Sequence, residues 1–566
     1  MKIALLQCNS VNGDVAGNLA RVQNAVRQAA QEGVDLCVTP ELALCGVTPG
    51  HFLQLGGFSA ACLKSLDMLA ASLQDGPALL VGVPVPSVYA NGLLSNVAAL
   101  VQKGGWQVVS RKAYRNQELS WDAQAGLDCG DEDARFFDRG FSCGIVTVNG
   151  WRLGVVLCEQ SLNEDGSFWN VGHGGSALVE LLRRGVDALV HMAASPFWQG
   201  SQESRERLLS QVAARQHMHI FSVNMVGGND CRVYNGQSCV FDPTGQLLAR
   251  GKAFEEDVLV VNTASEQGGS RVERLCACAE EDCWHALVLG TRDFVRKCGG
   301  QKAIVALSGG MDSALVACVA VEALGSEHVT GVLMPSPYSS PGSLSDAARL
   351  AANLGMATVT LPIEDIMRVY ATTLAPGFAL FVERPGDVTL ENIQSRIRGT
   401  LVMALANRAG ALVLNTGNKS ECAVGYCTLY GDTVGALGVI GDVTKTQVYA
   451  LGHWYNAHIG GIPEEIFVKA PSAELRPGQK DEDSLPPYAV LDPVLEELMR
   501  PSAASRPKVK SADLLRQDIQ DRLLRSEFKR RQLPPVLMVS PSPFGTAWRT
   551  PVAGVFRLPK GQGDEA

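Results

Sequence analysis

The strongest constraint on the fold of this chain is the stretch Ala303-Ile-Val-Ala-Leu-Ser-Gly-Gly-Met-Asp-Ser313. A short apolar run, two glycines and a second apolar-periodic segment predict a buried strand, a tight loop and a helix. Glycines let the backbone approach an anion closely, and the helix that follows turns its free N-terminal amides toward that anion. We therefore predict a phosphate-binding loop made of Ser308, Gly309, Gly310, Met311, Asp312 and Ser313.

The side chains of this loop suit a nucleotide. Ser308 and Ser313 offer hydroxyl donors, and Asp312 stands where a carboxylate can hold a magnesium ion that bridges phosphates. No Lys-Ser/Thr pair follows the glycines, which excludes the Walker pattern. The pattern Ser-Gly-Gly-x-Asp-Ser resembles the pyrophosphate loop of the ATP pyrophosphatases, and this resemblance implies cleavage of ATP between its α and β phosphates. The alternative is a glycine-rich turn without a ligand, but six fitting residues after a clear strand favour the phosphate loop.

Composition limits the class of protein. A chain of 566 residues is too long for one core, so two to four domains are expected. The net charge of -9 argues against a general nucleic-acid binder, and no apolar run approaches the ~20 residues of a membrane span. The first strand turns polar at Asn9, too early for a signal peptide. The 16 cysteines are scattered, so we expect reduced thiols and a cytoplasmic protein.

One local cluster of cysteines is present. Cys276, Cys278 and Cys283 lie close together in sequence, with His285 nearby. Their spacing matches no familiar zinc motif, so a chance cluster is favoured over a metal site.

In the first half of the chain, helix and strand patterns alternate. Three of the predicted strands end beside a reactive side chain: Glu41, Lys112 and Cys158. Strand ends are where layered α/β folds place their chemistry. Taken singly, each residue has a simpler interpretation: a surface glutamate, a solvated hairpin lysine and a small buried cysteine.

Together, in this order, the three residues resemble the Glu-Lys-Cys triad of the nitrilase, or carbon-nitrogen hydrolase, superfamily over residues 1–265. The resemblance implies an αββα sandwich that hydrolyses an amide to a carboxylic acid and ammonia. Cys158 would be the nucleophile and Glu41 the general base, and Lys112 would stabilise the oxyanion. A thiol with an ordinary pKa of ~8.5 needs such a base or cation to react at neutral pH.

The surroundings of the triad depart from the glutaminase version of this superfamily. Residues 115–118 are Arg-Asn-Gln-Glu where a Leu-Pro-Asn-Tyr-like run is expected, and Gln160 and Ala194 replace the expected Asp and Asn. Ser195 and Ser201 occupy the positions implied to bind glutamine, and Ser201 stands where a basic residue is expected. The glutamine pocket is therefore rewritten around an intact triad.

After a polar linker, predicted as residues 266–283, the second half repeats strand-helix-strand units. These units predict a doubly wound parallel sheet over residues 284–566, with a nucleotide at the carboxyl ends of its strands.

Further motifs narrow the resemblance. They are Leu390-Glu-Asn-Ile-Gln-Ser-Arg396, Asn415-Thr-Gly-Asn-Lys-Ser-Glu421, Thr428-Leu-Tyr-Gly-Asp432, Asp481-Glu-Asp-Ser-Leu-Pro-Pro-Tyr488 and Phe528-Lys-Arg-Arg-Gln532. Over residues 280–555 they resemble the synthetase domain of the glutamine-dependent NAD synthetases, whose ATP-pyrophosphatase-type domain is adenine nucleotide α-hydrolase-like.

This resemblance implies roles for particular residues. Thr416 would join residues 308–313 in binding ATP, and Asp312 and Glu421 would ligate Mg2+. Four residues would contact deamido-NAD: Asn392, Glu421, Tyr426 and Lys529. Two of these have simpler interpretations, since Asn392 can bond its own helix backbone and Lys529 stands in a basic run typical of a solvated face.

Two expectations rest on the residues alone. Three aromatic residues of this half are expected in the core: Tyr430, Trp454 and Tyr455. The Pro-rich segment 471–487 is either a lid over the phosphates or a loose insertion.

The expected reaction is ATP-dependent amidation of deamido-NAD to NAD through an acyl-adenylate, with ammonia released from glutamine. The rewritten pocket leaves open an ammonia-dependent synthetase whose nitrilase-like half is impaired or repurposed. Another amidating adenylase and a nucleotide-binding regulator derived from an inactive ligase are further alternatives. The resemblance implies a homo-oligomer with a dimeric synthetase core, small-molecule substrates, and neither nucleic-acid nor membrane partners.

Overall fold

The computed structural model describes residues 1–112, 135–138, 140, 142–157, 177–263, 271–382, 386–499 and 513–554. Cys158 lies outside these ranges. The described residues pack as two compact units, one extending to Lys297 and the other beginning at Cys298. The domain bounds 1–265 and 284–566, with a linker at 266–283, stay a prediction.

The first unit is built mainly from strands, with helices on the outside. Its strands are β1 (Lys2–Gln7), β2 (Leu36–Val38), β3 (Ala78–Pro86), β4 (Leu94–Gln102), β5 (Gly105–Arg111), β6 (Gly144–Val148), β7 (Trp151–Leu157), β8 (Ala188–Met192), β9 (His219–Val223), β10 (Val226–Asn229), β11 (Arg232–Asn235), β12 (Cys239–Phe241), β13 (Leu247–Arg250) and β14 (Asp257–Asn262). Its helices are α1 (Val15–Ala30), α2 (Phe58–Ser72), α3 (Ala177–Arg183), α4 (Ser201–Gln216) and α5 (Ala279–Lys297), with a 3₁₀ turn at Gly50–Gln54.

Two six-stranded mixed sheets organise this unit. Their strand orders are β14-β1-β2-β3-β4-β5 and β13-β12-β9-β8-β7-β6. In each sheet three central strands run parallel, β1-β2-β3 in the first and β7-β8-β9 in the second. The carboxyl ends of parallel strands meet at one edge, which is where Glu41 follows β2.

The sheets form the two inner layers of a sandwich. On β1, Ile3 and Leu5 pack into the core between the sheets, whereas Ala4 and Leu6 pack under α1 and α2. This alternation follows from the two-residue period of a strand. Because both faces are covered, the strands read as continuous apolar runs. The equivalent outer face of the second sheet packs against α3 and α4.

The second unit surrounds one smaller sheet. Its strands are β15 (Ala303–Ala306), β16 (Val329–Leu333), β17 (Ala357–Thr360), β18 (Leu412–Asn415) and β19 (Leu437–Gly438). Its helices are α6 (Met311–Leu324), α7 (Pro341–Asn353), α8 (Glu364–Phe378), α9 (Thr389–Ala409), α10 (Lys419–Val424), α11 (Lys445–His458), α12 (Glu464–Val468), α13 (Tyr488–Met499), α14 (Asp513–Arg525) and α15 (Glu527–Arg530), with 3₁₀ turns at Ser326–His328 and Asp481–Asp483.

The sheet of the second unit is parallel throughout, in the order β17-β16-β15-β18-β19. The chain first builds outward from β15 through β16 to β17 and then returns to the other side of β15 with β18. This reversal creates a switch point between β15 and β18, where the loops that follow the two strands diverge and leave a crevice.

The predicted fold class is confirmed: a nitrilase-like αββα sandwich is followed by a doubly wound parallel sheet. Two of the three aromatic residues predicted in the core differ from expectation. Tyr455 is buried, but Trp454 is only partly buried and Tyr430 is 66% exposed. Tyr430 has a φ of 64°, and its hydroxyl donates to Gln532 Oε1 at 2.7 Å, so the loop holds this side chain outward.

None of the helices that the structure describes combines the length and the apolar character needed to cross a membrane.

Candidate active sites

Glu41 lies in the turn that follows β2, with its side chain only 5% exposed. Its Oε1 accepts two hydrogen bonds of 2.7 Å, one from Lys112 Nζ and one from Asn96 Nδ2. Lys112 directly follows β5, and its backbone N–H donates to Asn96 O at 2.9 Å. A carboxylate that accepts protons and an ammonium group that can face a developing oxyanion therefore share one buried position.

Gly82 of β3 supports the turn that carries Glu41. A Cβ atom at this position would lie 2.4 Å from Leu42 N, 2.5 Å from Pro40 O and 2.8 Å from the Glu41 carbonyl carbon. The backbone of the turn occupies the space that any side chain would need. Gly82 N also donates to Thr39 Oγ1 at 3.1 Å, which ties the turn to the strand.

Cys158, the third predicted residue, falls outside the described residues. It follows Leu157, the last residue of β7. Ser110 of β5 donates to Val155 O of β7 at 2.8 Å, so the strand before Lys112 is bonded to the strand before Cys158.

The two serines predicted to bind glutamine are both buried. Ser195 follows β8, and its N–H donates to Asn224 Oδ1 at 2.9 Å. Ser201 is the first residue of α4, and its hydroxyl accepts from Trp198 N at 3.3 Å.

In the second unit, the predicted phosphate loop joins the end of β15 to α6. Gly309 has a φ of +78°, and a Cβ there would lie 2.2 Å from Ser343 O, so only glycine fits. Ser313 Oγ accepts from Ser308 N at 3.2 Å and donates to Gly310 O at 3.1 Å. The loop is braced from within, and the N-terminus of the 14-residue α6 faces the crevice of the sheet.

Lys445 connects two of the predicted carboxylates. Its Nζ donates to Asp312 Oδ2 and, at 3.2 Å, to Glu421 Oε1. Asp312 Oδ1 accepts a further bond of 2.9 Å from Asn418 Nδ2. Burial alone would lower the pKa of Lys445, but the carboxylates of Asp312 and Glu421 outweigh it and raise that pKa above its usual range. The lysine therefore stays charged.

The surroundings of Glu421 disfavour the charged form of its carboxylate. Burial raises its pKa to about 7, opposed by Lys445 and reinforced by the carboxylates of Asp312 and Asp481. Tyr488 lies beside the group: its hydroxyl donates to Asp481 Oδ2 at 2.8 Å and to Glu421 Oε1 at 3.5 Å. Lys445 Nζ also lies 5.4 Å from the centre of the Tyr488 ring. This cluster has a negative excess, which suits a cationic ligand.

A cavity of about 300 Å³ opens over these groups. Residues 306–313 line it together with Thr416, Glu421, Tyr426 and Asp481. Residues 471–475, from the segment predicted as either a lid or an insertion, form part of its wall. This segment is bonded in place, since Glu474 accepts from the hydroxyls of Ser340 and Ser343.

Within the described ranges, no group of three or more His, Cys, Asp or Glu side chains is arranged to hold a metal ion. In that part of the chain Cys276, Cys278 and Cys283 form no disulfide bond. Asp312 and Glu421 offer two carboxylates at the cavity wall, and magnesium commonly takes one or two carboxylates and completes its shell with phosphate and water oxygens.

Comparison with known proteins matches each half of the chain to a protein family. The chain matches the family models for carbon-nitrogen hydrolase over residues 2–270 and for NAD synthase over residues 283–534. A glutamine-dependent NAD(+) synthetase from Synechocystis sp. is 41% identical over 567 residues, covering 98% of this chain and 99% of the relative. The chain belongs to the glutamine-dependent NAD(+) synthetase family. The resemblance inferred from the motifs is confirmed, and the chain is an enzyme.

Other members of the family agree. The glutamine-dependent NAD(+) synthetase of Thermotoga maritima is 37% identical over 600 residues, covering 99% of both chains. The solved structure of the Acinetobacter baumannii glutamine-dependent NAD+ synthetase in complex with ADP has a TM-score of 0.73 at 29% identity, covering 97% of this chain and 98% of that one. A Cytophaga hutchinsonii structure with a TM-score of 0.76 is 19% identical and supports the fold alone; it covers 98% of both chains.

Two residues predicted from the glutamine-dependent NAD synthetase motifs lie outside the cavity wall. Asn392 Oδ1 accepts from Thr428 Oγ1 at 2.7 Å. Lys529 Nζ donates to Gly425 O at 2.7 Å and to Cys427 O at 2.6 Å. Both side chains brace the loop that begins at Gly425, next to Tyr426 on the cavity wall. Both side chains are therefore connected to the cavity wall through that loop.

Sequence reasoning missed several polar contacts of the two sites. Asn96 bonds Glu41, and its signal is a buried polar residue at the start of the mostly apolar strand β4. Tyr488 ends one of the motifs that mark the family, but nothing local in the sequence shows that Tyr488 and Lys445 both reach Glu421. The roles of all the predicted residues stay predictions.

Proposed function

We propose that this chain forms NAD from deamido-NAD, ATP and glutamine, as the names of its relatives indicate for those proteins. Glutamine and water give glutamate and ammonia; deamido-NAD, ATP and ammonia give NAD, AMP and pyrophosphate. The observation that carries the proposal is the presence of two separate chemical sites in one chain. These are the buried Glu41–Lys112 pair and the Asp312–Lys445–Glu421 cluster beside the phosphate loop.

At the first site, Cys158 attacks the side-chain amide carbon of glutamine. Glu41 takes the thiol proton and returns it to the leaving ammonia. General acid–base catalysis of this kind raises the rate by about 10²–10⁴-fold. Lys112 stabilises the oxyanion that forms on the amide oxygen. The bond from Asn96 keeps the same Glu41 oxygen oriented. Water then releases glutamate from the thioester. Ser195 and Ser201 are the proposed contacts to glutamine.

At the second site, the carboxylate of deamido-NAD attacks the α phosphate of ATP, and pyrophosphate leaves. Residues 308–313 hold the phosphates through backbone amides and hydroxyls, with Thr416 as a further ATP contact. Asn392, Glu421, Tyr426 and Lys529 are the proposed residues for deamido-NAD. Ammonia then attacks the acyl-adenylate carbon, and AMP leaves with the carboxyl oxygen that it had taken.

Magnesium fits the donor set of this site, and Asp312 and Glu421 are the residues that would hold it. When bound, it would neutralise phosphate charge during cleavage of ATP. Lys445 bridges the same two carboxylates and keeps them together.

The test measures NAD and AMP formed from deamido-NAD and ATP, in parallel with glutamine and with ammonium chloride. We expect both nitrogen sources to work, AMP and NAD to form in equal amounts, and chelation of divalent cations to stop both reactions. Cys158→Ala is expected to abolish only the reaction with glutamine. Synthesis with ammonium alone in the parent would restore the ammonia-dependent alternative, which the comparisons do not favour. Formation of ADP in place of AMP would overturn the proposal.

We further propose that the active form is a homodimer joined through the surface of α8 and the segment that follows it. No residue of α8 is buried in the single chain. Large apolar side chains are exposed here: Val369, Tyr370, Phe378, Leu380, Phe381 and Val382. Monomeric proteins rarely leave so large a contiguous apolar patch uncovered. A second copy is the favoured occupant because a two-fold axis would bring this apolar surface of one copy against the same surface of the other.

Sedimentation velocity at micromolar concentration tests the dimer. Leu380→Lys combined with Phe381→Lys is expected to give a monomer, whereas Leu55→Lys, at an exposed leucine position in the first unit, is expected to leave the dimer intact. A monomeric parent would contradict this assignment. The cytoplasm remains the proposed location, because the described residues contain no disulfide bond.

A further inference from the structure

Asp492 is a buried carboxylate that the proposed mechanism does not use. It lies on α13, is 2% exposed, and is absent from the wall of the cavity. Its Oδ1 accepts from Ser420 Oγ at 2.5 Å. Its Oδ2 accepts from Thr446 N and from Thr446 Oγ1, both at 2.8 Å. Both carboxylate oxygens are thus used by neutral donors.

The partners of Asp492 are the chain neighbours of two site residues. Ser420 precedes Glu421 on α10, and Thr446 follows Lys445 on α11. The two helices are also joined directly, because Lys445 N donates to Ser420 Oγ at 2.9 Å. Asp492 therefore closes a network that fixes the backbone of Glu421 and of Lys445 relative to each other.

The charge of Asp492 suits its place. It accepts an amide of the first turn of α11, where the unpaired N–H groups carry partial positive charge and a carboxylate is stabilising. The first turn also has its own capping box, formed by Thr444 and Gln447. The bond to Asp492 is thus an addition to a helix start that is already capped.

Helix α13 contacts the cluster at a second point. Tyr488 is four residues before Asp492, so the two side chains lie on one face of the helix. The Tyr488 hydroxyl bonds Asp481 and Glu421, and its ring faces the Lys445 ammonium. One helix therefore supports Lys445 from the backbone side through Asp492 and from the side-chain end through Tyr488.

We propose that Asp492 is a positioning residue for ATP turnover, which it serves by holding Lys445 between Asp312 and Glu421 through Ser420 and Thr446. This rests on the proposed function of the second site. Loss of its charge leaves the Ser420 hydroxyl and the start of α11 without a shared acceptor, so the Lys445 ammonium is no longer fixed against both carboxylates.

The experiment measures ammonium-supported NAD formation, so that the first site plays no part. Asp492→Asn is expected to raise KM for ATP about fivefold or more and to lower kcat/KM for ATP at least about tenfold. A tenfold loss corresponds to about 1.4 kcal/mol of transition-state stabilisation. A smaller folded fraction would lower kcat but would not move KM for ATP, so the KM separates positioning from stability.

Two further sets of variants keep the test independent of folding. Thr446→Val removes one donor to Asp492 without changing size and is expected to raise KM for ATP, whereas Thr446→Ser keeps the hydroxyl and is expected to match the parent. Ser420→Ala combined with Asp492→Asn is expected to cost little more than the worse single variant, because both break one network.

Parent-like KM for ATP in Asp492→Asn and Thr446→Val, or strict additivity of the double variant, would overturn the proposal. A parent that forms no AMP and NAD would instead show that the proposed function is wrong.

Discussion

Gly82→Ala tests whether the position of Glu41 depends on the strand beneath it. The added Cβ would stand 2.4 Å from Leu42 N, and real Cβ atoms essentially never come closer than 3.0 Å to a neighbour. The turn must therefore move by about 0.6 Å, and the obstructing atoms belong to the backbone, which cannot rotate aside. Displacements of ~1 Å in an active site can cost ~10²-fold in rate. We expect glutamine hydrolysis to fall at least about tenfold, or about 1.4 kcal/mol.

The assay follows glutamate release from glutamine and, separately, NAD formation from ammonium. Only the first rate is expected to fall, because Gly82 lies in the first unit. Gly105→Ala is the control, since Gly105 is the first residue of β5 in the same sheet and its added Cβ would meet nothing within 4 Å. The free energy of unfolding is expected to drop by ~1–3 kcal/mol, as for other overpacked sites. Glutamine hydrolysis within about twofold of the parent would refute this account of the turn.

Four other substitutions test the remaining contacts. Glu41→Gln is expected to lower glutamine-supported synthesis by ~10² or more and to leave ammonium-supported synthesis unchanged, as measured by NAD formation. Lys445→Met leaves two partly buried carboxylates without their buried cation, so urea unfolding is expected to show a loss of up to ~3 kcal/mol and NAD formation to stop, while glutamate release persists. Gly309→Ala is expected to lower the melting temperature more than Gly310→Ala, because only Gly309 has a positive φ and a backbone atom 2.2 Å from the new Cβ. Burial, with a smaller effect of Arg205, lowers the pKa of His191 to about 3, whereas the pKa of an unfolded histidine is ~6.5. The unfolded state therefore takes up a proton below pH ~6.5 while the folded state does not, and the free energy of unfolding falls by about 1.4 kcal/mol by pH ~5.5. Urea unfolding is expected to show this pH dependence in the parent and not in His191→Gln.

The elements of both units could be predicted because their signals are local. Apolar periodicity and turn residues placed β15 and α6 on either side of the glycine loop, with β15 correct to within one residue and α6 to within three at each end. The same reasoning placed Glu41 and Lys112 at strand ends. These ends meet because β5 runs antiparallel to β4, and β4 antiparallel to β3, so β5 points the same way as β2 and β3.

The contacts inside the sites could not be predicted because they join distant parts of the chain. Lys445 and Asp312 are 133 residues apart, and no local pattern shows that one lysine serves two carboxylates. The wrong expectation for Tyr430 has a similar cause. Composition favours a buried aromatic residue, but a left-handed backbone and a bond to Gln532 direct the ring to solvent. Motifs thus located the chemistry, while the pairing of side chains required the fold.

The order of strands in the first sheet has a consequence for synthesis of the chain. β1 lies between β2 and β14, and Lys2 pairs with Asn262. The first apolar strand leaves the ribosome long before its partner β14 has been translated. Until then one edge of β1 offers unpaired backbone groups to other chains, as any open strand edge does. Cotranslational folding of the first unit can therefore finish only when residue 262 has emerged, and its earliest strand depends on chaperones or rapid collapse for protection until that point.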